Sequence, residues 1–184
     1  MANPFFTIGH STRSLSEFVD LLRESRVGLV VDVRSIPRSR TNPQYNRDVL
    51  PGALAECQIG YDHIAALGGR RGRSRAARPS PNGYWRVAGF RNYADYALTA
   101  PFAAGLEQLR ALGGERRCAI MCAEAVWWRC HRRIITDYLL ARRDQVFHIL
   151  GASHVDRASL TPGAVVAADG TIRYPGAPPP APQP

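Results

Sequence analysis

Residues 118–133, Cys118-Ala-Ile-Met-Cys122-Ala-Glu124-Ala-Val-Trp-Trp-Arg129-Cys130-His131-Arg132-Arg133, hold most of the chain's reactive side-chain types. The apolar start of this stretch predicts a buried strand, and the helical spacing of apolar residues after about Trp128 predicts a helix. In an open parallel α/β sheet, ligands bind outside the carboxyl ends of the strands. We therefore expect Cys122 and Glu124 at a strand end. Cys130 and His131 are expected in the first helical turn, facing the same crevice.

Strands and helices alternate along the rest of the chain. The nearly continuous β-branched run at 27–33 is typical of a strand covered on both faces, and we expect it to be the central strand. The pattern predicts a single α/β domain over residues 1–174, with three layers and a mainly parallel, Rossmann-like sheet. Further strands are expected at 5–9, 58–61 and 145–150, helices at 46–57, 92–98 and 101–112, and a hairpin around Asp169-Gly170.

Two segments lack this periodicity. Residues 70–83 predict an arginine-rich loop, and no acid occurs between Asp62 and Asp95, where seven arginines lie. Residues 175–184 hold six of the 14 prolines and predict a disordered tail.

Composition bounds the class of protein. The net charge is +9, but all 24 basic residues are arginine, a bias that genome composition alone can produce. No stretch reaches the roughly 20 apolar residues of a membrane span, and no secretory leader is recognisable. We expect a cytoplasmic protein without a membrane partner, whose four cysteines stay reduced.

Several patches of the chain are similar to one known family. They are Thr7-Ile8-Gly9-His10-Ser11; Val31-Asp32-Val33-Arg34 with Pro37 and Ser39; Ile59-Gly60-Tyr61 with Leu67-Gly68-Gly69; Met121-Cys122-Ala123-Glu124; and Cys130-His131-Arg132. Through them the chain resembles the domain of unknown function 488 family. The resemblance implies a compact α/β domain with a site built on the cysteine, glutamate and Cys-His-Arg elements. It does not imply any particular reaction.

Five residues are candidates for catalysis. Cys122, at a strand end near a helix start and arginines, is a candidate nucleophile, although a small buried cysteine is an equal alternative. Glu124 and His131 are candidates for general base and acid. His10 follows the first strand and would reach the same crevice. Asp32 is included, with loop orientation and pairing with Arg34 as its alternative role.

The same residues allow two other chemistries. An aspartate-bearing strand and a later cysteine-bearing strand resemble rhodaneses, but Arg129 lies seven residues after Cys122, and Trp127-Trp128 is bulky there. Sulfur transfer is therefore a minority interpretation. Cys122, Cys130 and His131, with a distant His10 or His63, would supply soft and borderline ligands for zinc or iron, although the Cys-x7-Cys-His spacing is unusual for a zinc site.

Arginines supply the candidate substrate contacts, because guanidinium groups match phosphate geometry. We expect an enzyme that acts on a phosphate-bearing substrate, a nucleic acid or nucleotide. The alternatives are a metal-binding or redox-sensing protein that uses the same cysteines, and a noncatalytic nucleic-acid-binding module. The candidate substrate-binding residues are Arg34, Arg38, Arg40, Arg70, Arg71, Arg73, Arg129, Arg132 and Trp127.

Overall fold

A computed structural model describes residues 3–72 and 79–176, in which strands and helices alternate. The helices are α1 (Leu15–Glu24), α2 (Leu50–Glu56), α3 (Ala88–Tyr96), α4 (Ala100–Glu115) and α5 (Arg132–Ala141). The strands are β1 (Phe5–Gly9), β2 (Leu29–Asp32), β3 (Gly60–His63), β4 (Cys118–Cys122), β5 (Val146–Gly151), β6 (His154–Arg157), β7 (Val165–Val166) and β8 (Ile172–Arg173). Short 3-10 helices lie at Pro43–Tyr45, Ala65–Leu67 and Trp127–Arg129.

Six strands form the main sheet, in the order β3-β2-β4-β1-β5-β6. The first five pair in parallel, and β6 pairs antiparallel to β5. Gly9 is in register with Cys122, and Asp32 with Met121. The carboxyl ends of β1, β2 and β4 therefore meet at one edge of the sheet, where an α/β fold places its ligands. β7 and β8 form a separate hairpin.

The sheet is covered on both faces because side chains alternate along each strand. Val30 and Met121 face α1 and α2, which bury Phe18, Leu22 and Leu54 against them. The opposite face of the same two strands, with Val31 and Ile120, lies in the core formed with α4 and α5. These two cores confirm the predicted three-layer α/β fold.

Most predicted elements are present, and their bounds differ where local chemistry intervenes. β2 lies between β3 and β4, so it is an interior strand and not the central one. α2 begins at Leu50, not near residue 46, with Pro51 in its first turn, a position that proline favours. β6 was not predicted, because all four of its residues are exposed and it lacks an apolar face. The hairpin around Asp169-Gly170 is confirmed.

Part of the predicted loop and tail cannot be compared with the fold. Residues 73–78 of the 70–83 loop and residues 177–184 of the proline-rich tail lie outside the described residues. Among the helices that are described, none is both long and apolar enough to cross a membrane.

Candidate active site

The backbones that follow β1 and β4 run side by side at the ligand-binding edge of the sheet. The His10 amide donates to the Cys122 carbonyl at 2.9 Å, and the Ser11 amide to the Ala123 carbonyl at 3.0 Å. A Cβ atom on Gly9 would lie 1.8 Å from the Glu124 carbonyl oxygen, so only glycine allows this approach. The close approach brings the predicted His10, Cys122 and Glu124 to one place.

A cleft of about 920 Å³ opens at this edge. The loops after β1, β2 and β4, the start of α3 and the turn before α5 form its walls. Among the described residues, its lining includes the chemically active residues His10, Arg34, Cys122, Glu124, Cys130 and His131, the exposed arginines Arg38, Arg40, Arg70 and Arg129, and the aromatic residues Phe90 and Tyr93.

Two thiols lie together at the floor of the cleft. The Sγ atoms of Cys122 and Cys130 are 2.8 Å apart, and both are unoxidised cysteines. Cys122 is 3 % exposed and Cys130 is 4 % exposed. One thiol therefore donates a hydrogen bond to the other, and both sulfurs are almost fully buried.

His131 lies beside the Cys130 sulfur. The Cys130 Sγ to His131 Nδ1 distance is 3.4 Å, and His131 Nε2 is 2.9 Å from the Val33 carbonyl oxygen. A carbonyl can only accept, so Nε2 carries a proton, and in the neutral ring Nδ1 is free to accept the Cys130 proton. A thiol, a base and a group that orients the base form the arrangement of an activated nucleophile.

Arg132 adds a positive charge below the same sulfur. Its Nε atom is 3.4 Å and its backbone nitrogen 3.5 Å from Cys130 Sγ, and its Nη2 donates to the Glu124 carbonyl at 2.5 Å. The side chain is 1 % exposed. A buried guanidinium needs a negative partner, and a Cys130 thiolate provides one.

These surroundings shift the pKa values of the Cys122 and Cys130 thiols in opposite directions. Burial raises the pKa of Cys122 well above that of an ordinary thiol, and the adjacent Cys130 sulfur raises it further. Burial also acts to raise the pKa of Cys130, but the Cys122 thiol and the charges of His131 and Arg132 outweigh it and lower that pKa well below its usual range. The structure therefore favours Cys130 as the thiolate and Cys122 as its hydrogen-bond donor.

Asp32 and Arg34 form a buried ion pair behind the cleft. Arg34 Nη2 is 2.6 Å from Asp32 Oδ2, and Arg34 Nε is 2.9 Å from Asp32 Oδ1. The Tyr61 hydroxyl donates to Asp32 Oδ2 at 2.7 Å, and Arg34 Nη2 donates to the Tyr45 carbonyl at 2.7 Å. Asp32 is fully buried, so its role in this arrangement is to orient Arg34.

His10 completes this buried assembly as a neutral ring. Its Nδ1 donates to the Ser11 carbonyl at 2.9 Å, and its Nε2 accepts from Arg34 Nη1 at 3.3 Å. The ring stacks on Tyr45 with centroids 4.1 Å apart. Burial, with a smaller contribution from the nearby Arg34, lowers the pKa of His10 to about 4. At neutral pH, His10 therefore supports Arg34 and is not a proton donor to a substrate.

The low pKa of this histidine predicts acid sensitivity. His10 titrates with a pKa of about 4 and the buried His148 with a pKa of about 3 in the folded protein, both lowered first by burial, against 6.5 for an ordinary histidine. As the pH falls from 6.5 to 4, these two histidines bind protons in the unfolded chain before they do so in the folded protein. The free energy of unfolding should then fall by up to about 1.4 kcal/mol per pH unit for each histidine.

Urea unfolding across this pH range measures that slope. A His10→Asn variant should show a shallower slope than the wild type, whatever its stability at pH 7. His154 is 62 % exposed, so a His154→Gln variant serves as the matched control and should keep the wild-type slope. An unchanged slope in His10→Asn would show that His10 is not buried in its neutral form.

Gly69 and Tyr93 hold the His131 ring from two sides. A Cβ on Gly69 would lie 2.4 Å from His131 Nδ1, and the Tyr93 ring meets His131 edge-on with centroids 5.1 Å apart. The Tyr93 hydroxyl donates to the Leu67 carbonyl at 2.7 Å, which fixes that ring. The glycine thus gives the imidazole the space in which it contacts Cys130.

A Gly69→Ala variant is expected to displace His131 and to slow the alkylation of Cys130 by iodoacetamide at pH 6.5 by several-fold. Overpacking of this kind costs about 1–3 kcal/mol of stability. Gly72 lies in the same loop, and a Cβ added to it would meet no atom of the described residues within 4 Å. Gly72→Ala is therefore the control and should change neither quantity. Equal alkylation rates in both variants would show that the His131 position does not activate Cys130.

Several predicted substrate contacts have other partners. Arg71 donates to the Gly68, Ala65 and Ala66 carbonyls and lies 3.7 Å above the Tyr96 ring, so it stabilises a turn. Trp127 stacks on His148 with centroids 4.2 Å apart and is not part of the cleft lining. Arg132 is buried under the thiols, and Arg73 lies outside the described residues.

Sequence reasoning did not identify Cys130 as the activated thiol. It placed Cys130 and His131 within a helix, where adjacent side chains project in different directions. In the structure Cys130 is extended, with φ −131° and ψ 151°, and His131 is the residue before the first turn of α5. The adjacent Cys-His pair was the available signal. The pair can form a thiol–imidazole contact only if the helix begins after it, and the sequence did not show where the helix begins.

A metal site does not fit this arrangement. Among residues 3–72 and 79–176, no three metal-ligating side chains form a group that could hold an ion. Two sulfur ligands on a tetrahedral zinc ion, each about 2.3 Å from it, would be roughly 3.8 Å apart. The 2.8 Å separation of Cys122 and Cys130 is too short for that geometry, and both His131 nitrogens already have partners.

Comparison with known proteins shows the family of the chain. No curated protein and no solved structure matches it. One family model matches residues 14–139, which include Asp32, Arg34, Cys122 and the Cys130-His131 pair. This match covers well over half of the 184 residues. The chain therefore belongs to the family described as Domain of unknown function DUF488.

Proposed function

We propose that this protein is a thiol-dependent enzyme that acts on a phosphate-bearing substrate, a nucleotide or the phosphate backbone of a nucleic acid. One observation carries the proposal: the Cys130 sulfur contacts His131 and Arg132 at the floor of a cleft rimmed by arginines. Sulfur nucleophiles are activated by an adjacent base or positive charge, and here both lie beside the same atom.

Cys130 is the nucleophile in this proposal. Its thiolate attacks an electrophilic centre of the bound substrate and forms a covalent bond, while the bond to the leaving group breaks and its electron pair departs with that group. His131 is positioned to hold the proton that the leaving group takes up. Glu124 is exposed in the cleft, and its carboxylate would accept a proton from the water molecule that releases the intermediate.

Charge supports the choice of substrate. Among the described residues that line the cleft, Arg38, Arg40, Arg70 and Arg129 are exposed, whereas Glu124 is the single acid. Phosphate, like carboxylate, is an anion that guanidinium groups bind with two parallel hydrogen bonds. The cleft volume of about 920 Å³ lies in the range of small-molecule sites and accommodates a nucleotide.

Apolar and aromatic side chains also line the cleft. Phe90 and Tyr93 lie on α3, and Val87 and Ile36 expose 63 % and 56 % of their surface. Aromatic rings stack on nucleobases without regard to their sequence. A lining that contains both aromatic rings and arginines therefore supports a substrate with both a base and a phosphate group.

Protection from alkylation tests this proposal. Iodoacetamide should modify Cys130 at a rate that changes less between pH 6 and 8 than the rate for a cysteine in an unstructured peptide. That peptide cysteine, with an ordinary pKa of about 8.5, should react about tenfold faster for each added pH unit. ATP or a short single-stranded DNA should slow the Cys130 reaction several-fold, and added salt should reverse the effect.

Two variants distinguish ligand binding in the cleft from attraction by the positive charge of the whole protein. Arg38→Gln with Arg40→Gln should weaken the protection, since both side chains line the cleft. Arg157→Gln is the matched control, because Arg157 is exposed on the edge strand β6, away from the cleft. If neither ligand protects Cys130, the proposal of a phosphate-bearing substrate is wrong. If the ligands protect Cys130 but its alkylation rate rises with pH like that of an ordinary cysteine, the result would instead favour a noncatalytic nucleic-acid-binding module.

A further inference from the structure

The Cys122 thiol has no role in the covalent step described above, yet it lies against the nucleophile. Its sulfur is 2.8 Å from Cys130 Sγ, while a disulfide bond would need the two atoms at about 2.05 Å. Burial keeps the Cys122 thiol protonated, so it is not a competing nucleophile for a substrate. A second thiol in this position is equipped to react with an oxidised form of the first.

The backbone holds both cysteines in this relation. Cys122 ends β4, and its carbonyl accepts from the His10 amide at 2.9 Å. The Cys130 amide donates to the Trp127 carbonyl at 3.1 Å, and α5 begins two residues later. The seven residues 123–129 already bring the two sulfurs together. To form a bond, the two sulfurs need to approach each other by less than about 1 Å.

We propose that Cys122 and Cys130 form a redox-active dithiol, in which a hydroperoxide oxidises Cys130 and Cys122 then closes a reversible disulfide. The inference rests on the proposed function in one respect, that Cys130 is the reactive thiol of an open cleft. It assigns to the same site a second substrate class, hydroperoxides, and a way of switching the first activity off.

The oxidation proceeds in two balanced steps. The Cys130 thiolate attacks one oxygen of the hydroperoxide, the O–O bond breaks, and the departing alkoxide or hydroxide takes a proton that His131 holds. Cys130 is thereby oxidised to a sulfenic acid. The Cys122 sulfur then attacks the Cys130 sulfur, the S–O bond breaks, and hydroxide leaves with the Cys122 proton as water. Two thiols lose two electrons, and the hydroperoxide becomes an alcohol or, from hydrogen peroxide, water.

The disulfide has two consequences at the site. It removes the Cys130 thiolate and with it the nucleophile of the proposed enzyme, so oxidation stops turnover. It also protects Cys130 from further oxidation to sulfinic acid, which thiols do not reverse. An external dithiol would restore both cysteines by thiol–disulfide exchange.

Mass spectrometry of the full chain tests the dithiol. Treatment with hydrogen peroxide should lower the mass by about 2 Da, and the thiols open to alkylation after unfolding should fall from the four free cysteines to two. Trypsin cleaves after Arg117, Arg129 and Arg132, so the disulfide should join peptide 118–129 to peptide 130–132. Fragmentation of the longer peptide distinguishes Cys122 from Cys118. Dithiothreitol should restore the original mass.

Single variants assign the two roles. In Cys122→Ser, peroxide should leave a sulfenic acid on Cys130 that dimedone traps, with no loss of mass. In Cys130→Ser, neither the disulfide nor a dimedone adduct at Cys122 should form. Cys57 is half-buried outside the site, and Cys57→Ser should behave as the wild type. Near-ultraviolet circular dichroism confirms that each variant is folded before it is scored.

Two results would overturn the inference. One is a wild-type protein that accumulates sulfinic acid at Cys130 without a disulfide, and the other is a disulfide that involves Cys57 or Cys118. Either result leaves the proposed function standing if ATP still protects Cys130 from iodoacetamide. A Cys122–Cys130 disulfide in a protein that no phosphate-bearing ligand protects would support the dithiol and reject the proposed substrate.

Discussion

A Cys130→Ser variant is expected to react with iodoacetamide at its remaining cleft thiol at least about tenfold more slowly than the wild type does at pH 6.5. At that pH an ordinary thiol is only about 1 % ionised, whereas a thiol whose pKa is lowered is ionised to a larger extent. The lower intrinsic nucleophilicity of such a thiolate offsets part of this advantage. Cys122 stays buried and protonated when its neighbour is removed, so it should not replace Cys130.

Rates of carbamidomethylation at each cysteine, read by peptide mass spectrometry, measure this effect. Cys122→Ser should keep a fast reaction at Cys130, since a serine hydroxyl can still donate to the thiolate. Cys57→Ser is the control for changes in overall labelling. If Cys122→Ser loses the fast reaction while Cys130→Ser keeps it, the nucleophile is Cys122, the strand-end cysteine that the sequence offered as a candidate.

An Asp32→Asn variant is expected to lose about 3–5 kcal/mol of the free energy of unfolding. The substitution preserves the shape of the side chain but leaves the Arg34 charge without its anion in a site where Arg34 is 7 % exposed. Breaking one side of a buried ion pair costs this much because the remaining charge has lost its solvation. Urea unfolding at pH 7 measures the loss.

Three further variants show how the loss of unfolding free energy in Asp32→Asn should be interpreted. Tyr61→Phe removes one hydrogen bond to the same carboxylate and should cost about 1.5–3 kcal/mol. Asp156 is 56 % exposed, and Asp156→Asn should change stability by less than about 0.5 kcal/mol. If Asp32→Asn does not fold, the double variant Asp32→Leu with Arg34→Met should fold, because removing both charges leaves none buried. A loss under about 1 kcal/mol in Asp32→Asn would show that water already solvates Arg34.

The α/β class was predictable because it depends on local patterns. A continuous apolar run such as residues 27–33 is covered on both faces, and the sheet confirms this. Helix bounds were less predictable, since α2 begins where Pro51 fits the first turn and not where apolar spacing begins. The exposed strand β6 carried no pattern, because it depends on pairing with β5 and not on burial.

The site was predictable in its location and less so in its roles. The topological rule for parallel sheets placed His10, Cys122 and Glu124 at the carboxyl ends of strands, where the cleft lies. It could not show that Arg71 supports a turn or that Trp127 stacks on His148, since these contacts depend on how the chain folds back on itself.

The sequence by itself determined which chemistry is available: a Cys-His-Arg run after a buried strand, and an excess of arginine near a strand edge. Only the tertiary structure decided which thiol is activated. Whether a thiol ionises depends on the charges and donors within a few ångströms. His131 and Arg132 follow Cys130 directly in the chain, but the Cys122 thiol comes from β4. The Val33 carbonyl that orients His131 and the glycine that leaves space for its ring, Gly69, come from two further segments. Folding brings these segments together, and local sequence does not encode the distances between them.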